Sequence, residues 1–196
     1  MKKIFLLLTI LFLTFSSKII ADTSNSIRQI YEGKENAKIT IITYESLTCS
    51  HCADFHKKVY PKLKKEFIDT GLVKIEFRHF PLDLAALNAS KIAQCNNDGK
   101  PDLLHFLFSN QQKWAIGKTV EDANANLKKL LKDENIDIDF EKCTNNKNIE
   151  DYVLNDRIEG VKKFKVNATP TIIINNKKFD KTLNYKNLKK SIEKLI

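Results

Sequence analysis

A β-branched, mostly apolar run, Lys38-Ile-Thr-Ile-Ile-Thr-Tyr44, leads within a few residues into Cys49-Ser-His-Cys52. The run suits a buried strand. Beyond the cysteines, Phe55, Val59, Leu63 and Phe67 recur at four-residue steps. That spacing predicts a helix with one core stripe, its lysines (Lys57, Lys58, Lys62, Lys64, Lys65) facing mainly outward and Pro61 kinking it. Gly71 punctuates the end, and Leu72 to Phe80 alternates well enough for a second strand. The three pieces form a β-α-β unit, whose crossover implies parallel strands and puts the C-x-x-C at the start of the helix.

From about Leu84 to Phe164 there are helical signals and no strand signals. Pro101 sits where the first turn of a helix tolerates it. Thr119 with Asp122 three residues later resembles a capping arrangement ahead of Leu127, Leu130 and Leu131. Asp137 or Asp139 is placed to cap a short helix carrying Phe140 and Cys143, and Ile149, Val153, Val161 and Phe164 mark the last helix. Trp114 and the run Phe106 to Phe108 are expected in the core of this insertion. The β pattern then returns at Thr169 to Ile174, turns at Asn175 and Asn176, and continues through Lys177 to Phe179 as a hairpin. A final amphipathic helix carries Leu188, Ile192 and Leu195. No internal repeat or low-complexity linker interrupts the chain.

The N-terminus reads as an address. Lys2 and Lys3 precede an apolar run from Ile4 to Phe15 broken only by Thr9 and Thr14. About a dozen residues is too short for a hydrocarbon core needing about 20. Ala21 supplies a small residue for cleavage, so residues 1–21 are expected to be a signal peptide, with the mature chain starting near Asp22. A membrane anchor or an N-terminal core helix are the alternatives. Loss of 21 residues from 196 leaves 175, enough for one domain with a sizeable core. The formal charge falls from +9 to +6 without Lys2, Lys3 and Lys18. The remaining lysines are spread along nearly every segment and interleaved with acids, and the chain is rich in Lys, Asn and Ile together. That pattern indicates compositional bias and a solvated surface, without the clustered motif a nucleic-acid partner requires.

The four cysteines comprise a close pair, Cys49 and Cys52, and two distant singles, Cys95 and Cys143. Export places them in an oxidising compartment, and four cysteines allow three pairings. The C-x-x-C spacing at a helix start is the arrangement that redox exchange uses. A structural bridge or half of a zinc site is the alternative for this pair. Zinc needs a second ligand pair at matching spacing, which Cys95 and Cys143 do not supply, so no metal is expected.

Taken in order, these elements resemble the DsbA-like branch of the thioredoxin superfamily over essentially all of residues 22–196. The resemblance is carried by Thr48-Cys49-Ser50-His51-Cys52, by Phe80-Pro81, and by Val166-Asn167-Ala168-Thr169-Pro170-Thr171. A lone C-x-x-C is a weak signal. One that follows a strand, with Thr-Pro before a hairpin more than a hundred residues later, is strong. The resemblance implies an α/β protein: one thioredoxin-fold domain over 22–196 with a helical insertion at about 84–164. It also implies a cofactor-free, monomeric thiol-disulfide oxidoreductase of the periplasm, which introduces disulfides into reduced or unfolded exported proteins and is reoxidised by a membrane partner of the DsbB type.

The chemistry explains the residue choice. Exchange needs a thiolate, and a thiol of pKa about 8.5 is only about 3% ionised at pH 7. A helix N-terminus aims unpaired N–H groups and the positive dipole end at the Cys49 sulfur, and His51 adds a hydrogen bond or a charge. A pKa of about 4 would favour the reduced form by about 4 kcal/mol at pH 7 and make the disulfide about 90 mV more oxidising. Cys49 is then the exposed, attacked sulfur and Cys52 the resolving partner. By resemblance, Pro170 is a cis-proline facing the dithiol, and Thr169 offers backbone groups to an extended substrate; a trans proline opening an edge strand is the alternative. Also by resemblance, Cys95 and Cys143 form a second, structural disulfide, with two separate buried thiols as the alternative. His56, His79 and His105 are expected as packing or surface residues.

Two departures and two competing functions accompany this reading. Relatives often carry an acid six positions before the first cysteine; here that position is Thr43, and Glu45 lies two residues on, on the same strand face. Ser50 replaces the proline common in the best-known oxidases, leaving the potential open. The competing functions are an isomerase or reductase of the same fold and a redox-inert binding module. The isomerases usually carry a dimerisation domain in front, for which only Asp22 to Ala37 is available.

Overall fold

The computed structural model describes residues 26–196; the expected signal peptide and mature start lie outside them. Strands β1 (Ile30–Glu32), β2 (Ile39–Glu45), β3 (Val73–His79), β4 (Thr171–Ile174) and β5 (Lys177–Lys178) make one sheet ordered β1-β3-β2-β4-β5. β2 and β3 are parallel, with Ile41 opposite Ile75 and Glu45 opposite His79. β4 joins the other side of β2 antiparallel. β1 was not foreseen: three residues are too few to display a period, and antiparallel pairing with β3 holds them in place.

The helix after β2 departs from a regular α-helix in an instructive way. It consists of α1 (Ser50–Asp54), a π-helical turn Phe55–Val59, α2 (Tyr60–Leu63) and a second π-helical turn Lys64–Ile68. In an α-helix a four-residue step over-rotates by about 40°, so a stripe at that spacing would drift off the core. The wider turns take up the drift, and Phe55, Val59, Leu63 and Phe67 are all buried. Pro61 has no N–H for the carbonyl one turn back, and in the π turn just before it Tyr60 N–H bonds to Phe55 O, five residues back.

Between β3 and β4 lie α3 (Leu84–Gln94), α4 (Asp102–Ser109), α5 (Gln111–Trp114), α6 (Val120–Asp133), α7 (Phe140–Thr144) and α8 (Lys147–Phe164). Thr119 and Asp122 form a reciprocal capping box, and Asp139 rather than Asp137 caps α7. Pro101 stands at the N-cap of α4, one place before the expected first turn. Trp114 is fully buried and its indole N–H donates to Leu107 O at 2.9 Å, while Phe106 is only half-buried. Cys95 and Cys143 are joined in a disulfide that ties the end of α3 to α7, Cα to Cα 5.6 Å.

One sheet face packs Ile39, Ile41, Ile75 and Phe77 against Phe55 and Leu63; a smaller cluster of Tyr44, Phe80, Phe164, Val166 and Ile173 fills the other side. The inner face of α8 differs from expectation. Val161 is exposed, whereas Gly160 faces Tyr44 so closely that a Cβ there would stand 2.7 Å from the ring. Buried Asp156 on α8 accepts from Arg78 and from the backbone N–H of His79, each at 3.0 Å, pinning the end of β3. Asn175 and Asn176 adopt left-handed φ values of 45° and 65°, the conformation a two-residue hairpin turn requires. The last helix, α9 (Tyr185–Glu193), buries Leu188 and Ile192 but stops short of Leu195, which is exposed.

Candidate active site

The dithiol lies beyond the carboxyl end of β2, where open α/β sheets place their sites. Cys49 is the N-cap of α1 with an extended backbone (φ −79°, ψ 118°), and its carbonyl accepts from the N–H groups of Cys52 and Ala53 at 3.1 and 3.2 Å. The turn feeding it is held from three sides. Cys49 N–H donates to Ser46 O at 3.0 Å, the Thr48 hydroxyl donates to Asp83 at 2.7 Å, and Leu82 N–H donates to the Ser46 hydroxyl at 3.3 Å. From the insertion, buried Gln111 donates through Nε2 to Leu47 O at 2.8 Å and Cys49 O at 3.0 Å. No sequence signal marked Gln111, because a lone glutamine in a helical stretch has no pattern of its own.

Cys49 and Cys52 are free thiols in very different surroundings: Cys49 is half-buried and Cys52 is fully buried. The Cys49 thiol is pulled down from the ordinary range to about 5, first by the hydrogen bond from the Cys52 thiol, then by the Thr169 side chain and the backbone N–H groups of Cys52 and His51, against the opposing effect of burial. The Thr169 hydroxyl has no partner at hydrogen-bond length, and the Cys52 thiol is the largest cause of this pull. Burial pushes the Cys52 thiol strongly up, helped by its bond to Cys49 and by the nearby Glu45 charge. One sulfur is therefore ionised at neutral pH and the other holds its proton. His51 contributes through its main chain; among the described residues its ring makes no hydrogen bond, and it faces the cavity described next.

The Thr169–Pro170 peptide is cis and Cys49 Sγ lies 3.3 Å from Thr169 O. Residues 120 apart in sequence are thus brought into contact at the reactive sulfur. A cavity of about 800 Å³ opens beside them, walled by Phe55, Val59, Pro170, Leu183 and Tyr185. The structural disulfide lies in the insertion at the end of α3. Of the three histidines expected as packing residues, His79 bonds to Gln94, while His56 and His105 bond to each other and, through His56, to Glu45. Thr43 is fully buried, with its hydroxyl 3.5 Å from Glu76 O. Among the described residues no cluster of three or more metal-ligating side chains occurs, and no helix is long and apolar enough to cross a membrane.

Comparison with known proteins agrees with this geometry. The thioredoxin family model matches residues 25–194. The crystal structure of alpha-DsbA1 from Wolbachia pipientis superposes with a TM-score of 0.75 at 32% identity, covering 85% of this chain and 90% of that one. Disulfide bond formation protein D of Bacillus subtilis (strain 168) is 30% identical over 172 residues, 83% of this chain and 74% of that protein. A Rickettsia bellii protein named as a protein-disulfide oxidoreductase is 26% identical over 147 residues, and the match spans about half of its length, 55%. The chain belongs to the thioredoxin family, in its DsbA-like branch.

Proposed function

We propose that the protein is a dithiol oxidase that introduces disulfide bonds into exported proteins. The observation that carries this reading is the asymmetry of the pair: a half-buried Cys49 held as an anion at a helix N-terminus beside a buried, protonated Cys52. Stabilising the thiolate stabilises the reduced form, so the oxidised pair gives its disulfide away. A substrate thiolate attacks Cys49, the Cys49–Cys52 bond breaks, and the electron pair leaves on Cys52. A second substrate thiolate then attacks the mixed disulfide and expels the Cys49 thiolate, which is the better leaving group for its low pKa. Thr169 and Pro170 dock the substrate segment next to Cys49 through main-chain contacts, while the cavity beside them accepts its apolar side chains. His51 serves through its backbone N–H.

In this reading the protein works in the periplasm after loss of residues 1–21 and is reoxidised by a membrane partner of the DsbB type. The test is to mix the oxidised protein with a reduced, unfolded, disulfide-containing protein and follow thiol loss, alongside its equilibrium with glutathione. Stoichiometric thiol loss and a potential well above that of a thioredoxin-like reductant support the oxidase. A potential near the reductant would favour the reductase, and no thiol loss would leave a redox-inert binding module.

A further inference from the structure

The cavity beside Pro170 has an apolar floor and a charged rim, and the charge on that rim is unbalanced. His51, Phe55, Lys58 and Lys62 recur at steps of three or four residues, which sets them on one face of the helical run that starts at Cys49. The opposite wall is Leu183 to Lys186, where α9 begins. Lys62 Nζ lies 5.7 Å from the centre of the Tyr185 ring, so the two walls meet at the end far from the dithiol. Lys62 stands eleven residues beyond His51. At about 1.5 Å per residue, and less in the wider turn at Phe55–Val59, the groove runs for about 15 Å. An extended chain at about 3.3 Å per residue covers that length in about four to five residues.

Ion pairing divides the rim. Lys58 is engaged by Asp54 at 2.7 Å. The other acids of this helical run are engaged as well, Glu66 by Lys189 at 2.5 Å and Asp69 by Lys64 at 2.8 Å. Lys62 and Lys186 are exposed and, among the described residues, neither has a carboxylate partner. An ammonium resting over one face of an aromatic ring stays open to an anion on its other side, so the contact with Tyr185 leaves Lys62 available. The far end of the groove therefore presents two uncompensated positive charges next to Val59, Leu183 and Tyr185. An apolar floor alone accepts any apolar segment. Unpaired charge above it discriminates, because an acidic residue meets attraction there and a basic one meets repulsion.

We propose, resting on the oxidase reading, that this groove selects substrate segments by charge. An extended chain whose cysteine reaches Cys49 lays an apolar side chain against Phe55, Val59 and Leu183. An Asp or Glu of the same chain, about four to five residues from its cysteine, seats its carboxylate between Lys62 and Lys186. The preferred substrate is thus an unfolded segment that combines an apolar residue with an acidic one at that distance. Lys62 and Lys186 set specificity and leave the exchange at the dithiol as described, since they hold the chain and do not touch the reacting sulfurs.

The test uses the oxidised full chain and reduced dithiol peptides that share one leucine and differ in a single pair of residues. That pair is Glu-Glu, Gln-Gln or Lys-Lys, set about four and five places from the attacking cysteine on either side, and the readout is the initial rate of thiol loss. Two exposed ion pairs are together worth about twofold to thirtyfold, so at low salt Glu-Glu should lead Gln-Gln by such a factor on its better side, with Lys-Lys last. Salt at about 1 M, where screening reaches within about 3 Å, should erase the order. In Lys62→Gln with Lys186→Gln the ratio of Glu-Glu to Gln-Gln rates should fall to near one, and Lys62→Glu with Lys186→Glu should invert the order. Lys132→Gln with Lys142→Gln removes the same charge from exposed sites on α6 and α7 and should keep the wild-type ratio. Equal rates for the three peptides, a lead for Lys-Lys, or the same fall in ratio for both neutralised pairs would overturn the charge selection. Failure of the wild-type protein to oxidise any of the peptides would instead overturn the oxidase reading.

Discussion

Gln111 joins the helical insertion to the reactive turn, and Gln111→Leu measures what that joint is worth. The amide is buried and makes two bonds from one nitrogen, to Leu47 O and Cys49 O. The Cys49 carbonyl keeps the N–H groups of Cys52 and Ala53, so losing Gln111 there removes a bond worth about 0.5–1.5 kcal/mol. The Leu47 carbonyl has no other donor among the described residues, and stranding it costs about 1–3 kcal/mol. Leucine nearly conserves the volume, so the sum, about 1.5–4.5 kcal/mol, is polar in origin. With a urea m-value of about 2 kcal/mol/M, the unfolding midpoint should fall by about 1–2 M. Ser109→Ala, a neighbouring exposed site, is the control and should move stability by less than about 0.5 kcal/mol. A Gln111→Leu midpoint that matches the control would refute the claim that this amide holds the turn.

Removing the second disulfide with Cys95→Ala and Cys143→Ala opens a loop of sequence separation 48, which the loop-entropy relation values at about 4 kcal/mol; chemical denaturation of the double variant should show that loss, and an unchanged midpoint would contradict it. Gly160→Ala forces a methyl group against the Tyr44 ring and should cost about 1–3 kcal/mol of overpacking, whereas a neutral result would mean that α8 shifts freely on the sheet. The folded Cys49 value lies below the unfolded one, so its thiolate stabilises the reduced fold fully above about pH 8.5, and the contribution disappears as pH falls through about 5. At pH 7 two units correspond to about 2.7 kcal/mol, trimmed to about 2 by partial exposure. That equals about 40 mV, less than the 90 mV expected from a pKa of 4. The difference in unfolding energy between reduced and oxidised protein should therefore grow from pH 4 to pH 8, and a flat difference would contradict the linkage.

The parts legible in the sequence were those written in local periodicity. The run ending in Tyr44, the C-x-x-C at a helix start and the Asn175-Asn176 turn each carry their structure in neighbouring residues, and the helical stretch from Leu84 to Phe164 keeps its limits. The contact between Cys49 and Thr169 came only through family resemblance, since nothing local announces a partner 120 residues away. What escaped was tertiary. β1 exists because β3 offers an edge, and Gly160 faces inward because Tyr44 crowds α8. His56 and His105 read as packing or surface histidines in sequence, and they do pack, His56 stacking on Phe108 and His105 lying tilted against Tyr60. Their hydrogen bonds emerge only when α4 is laid against the helix that follows β2.

The reactivity of Cys49 as a function of pH bears most directly on the whole account. Thiolate absorbance near 240 nm, checked by the rate of alkylation, follows ionisation of the accessible sulfur in the reduced chain, with the Cys49→Ser variant as the blank. The structure predicts a single titration centred near pH 5 that vanishes in the variant. A midpoint between about 8 and 9, the range of a thiol in an unstructured peptide, would contradict it.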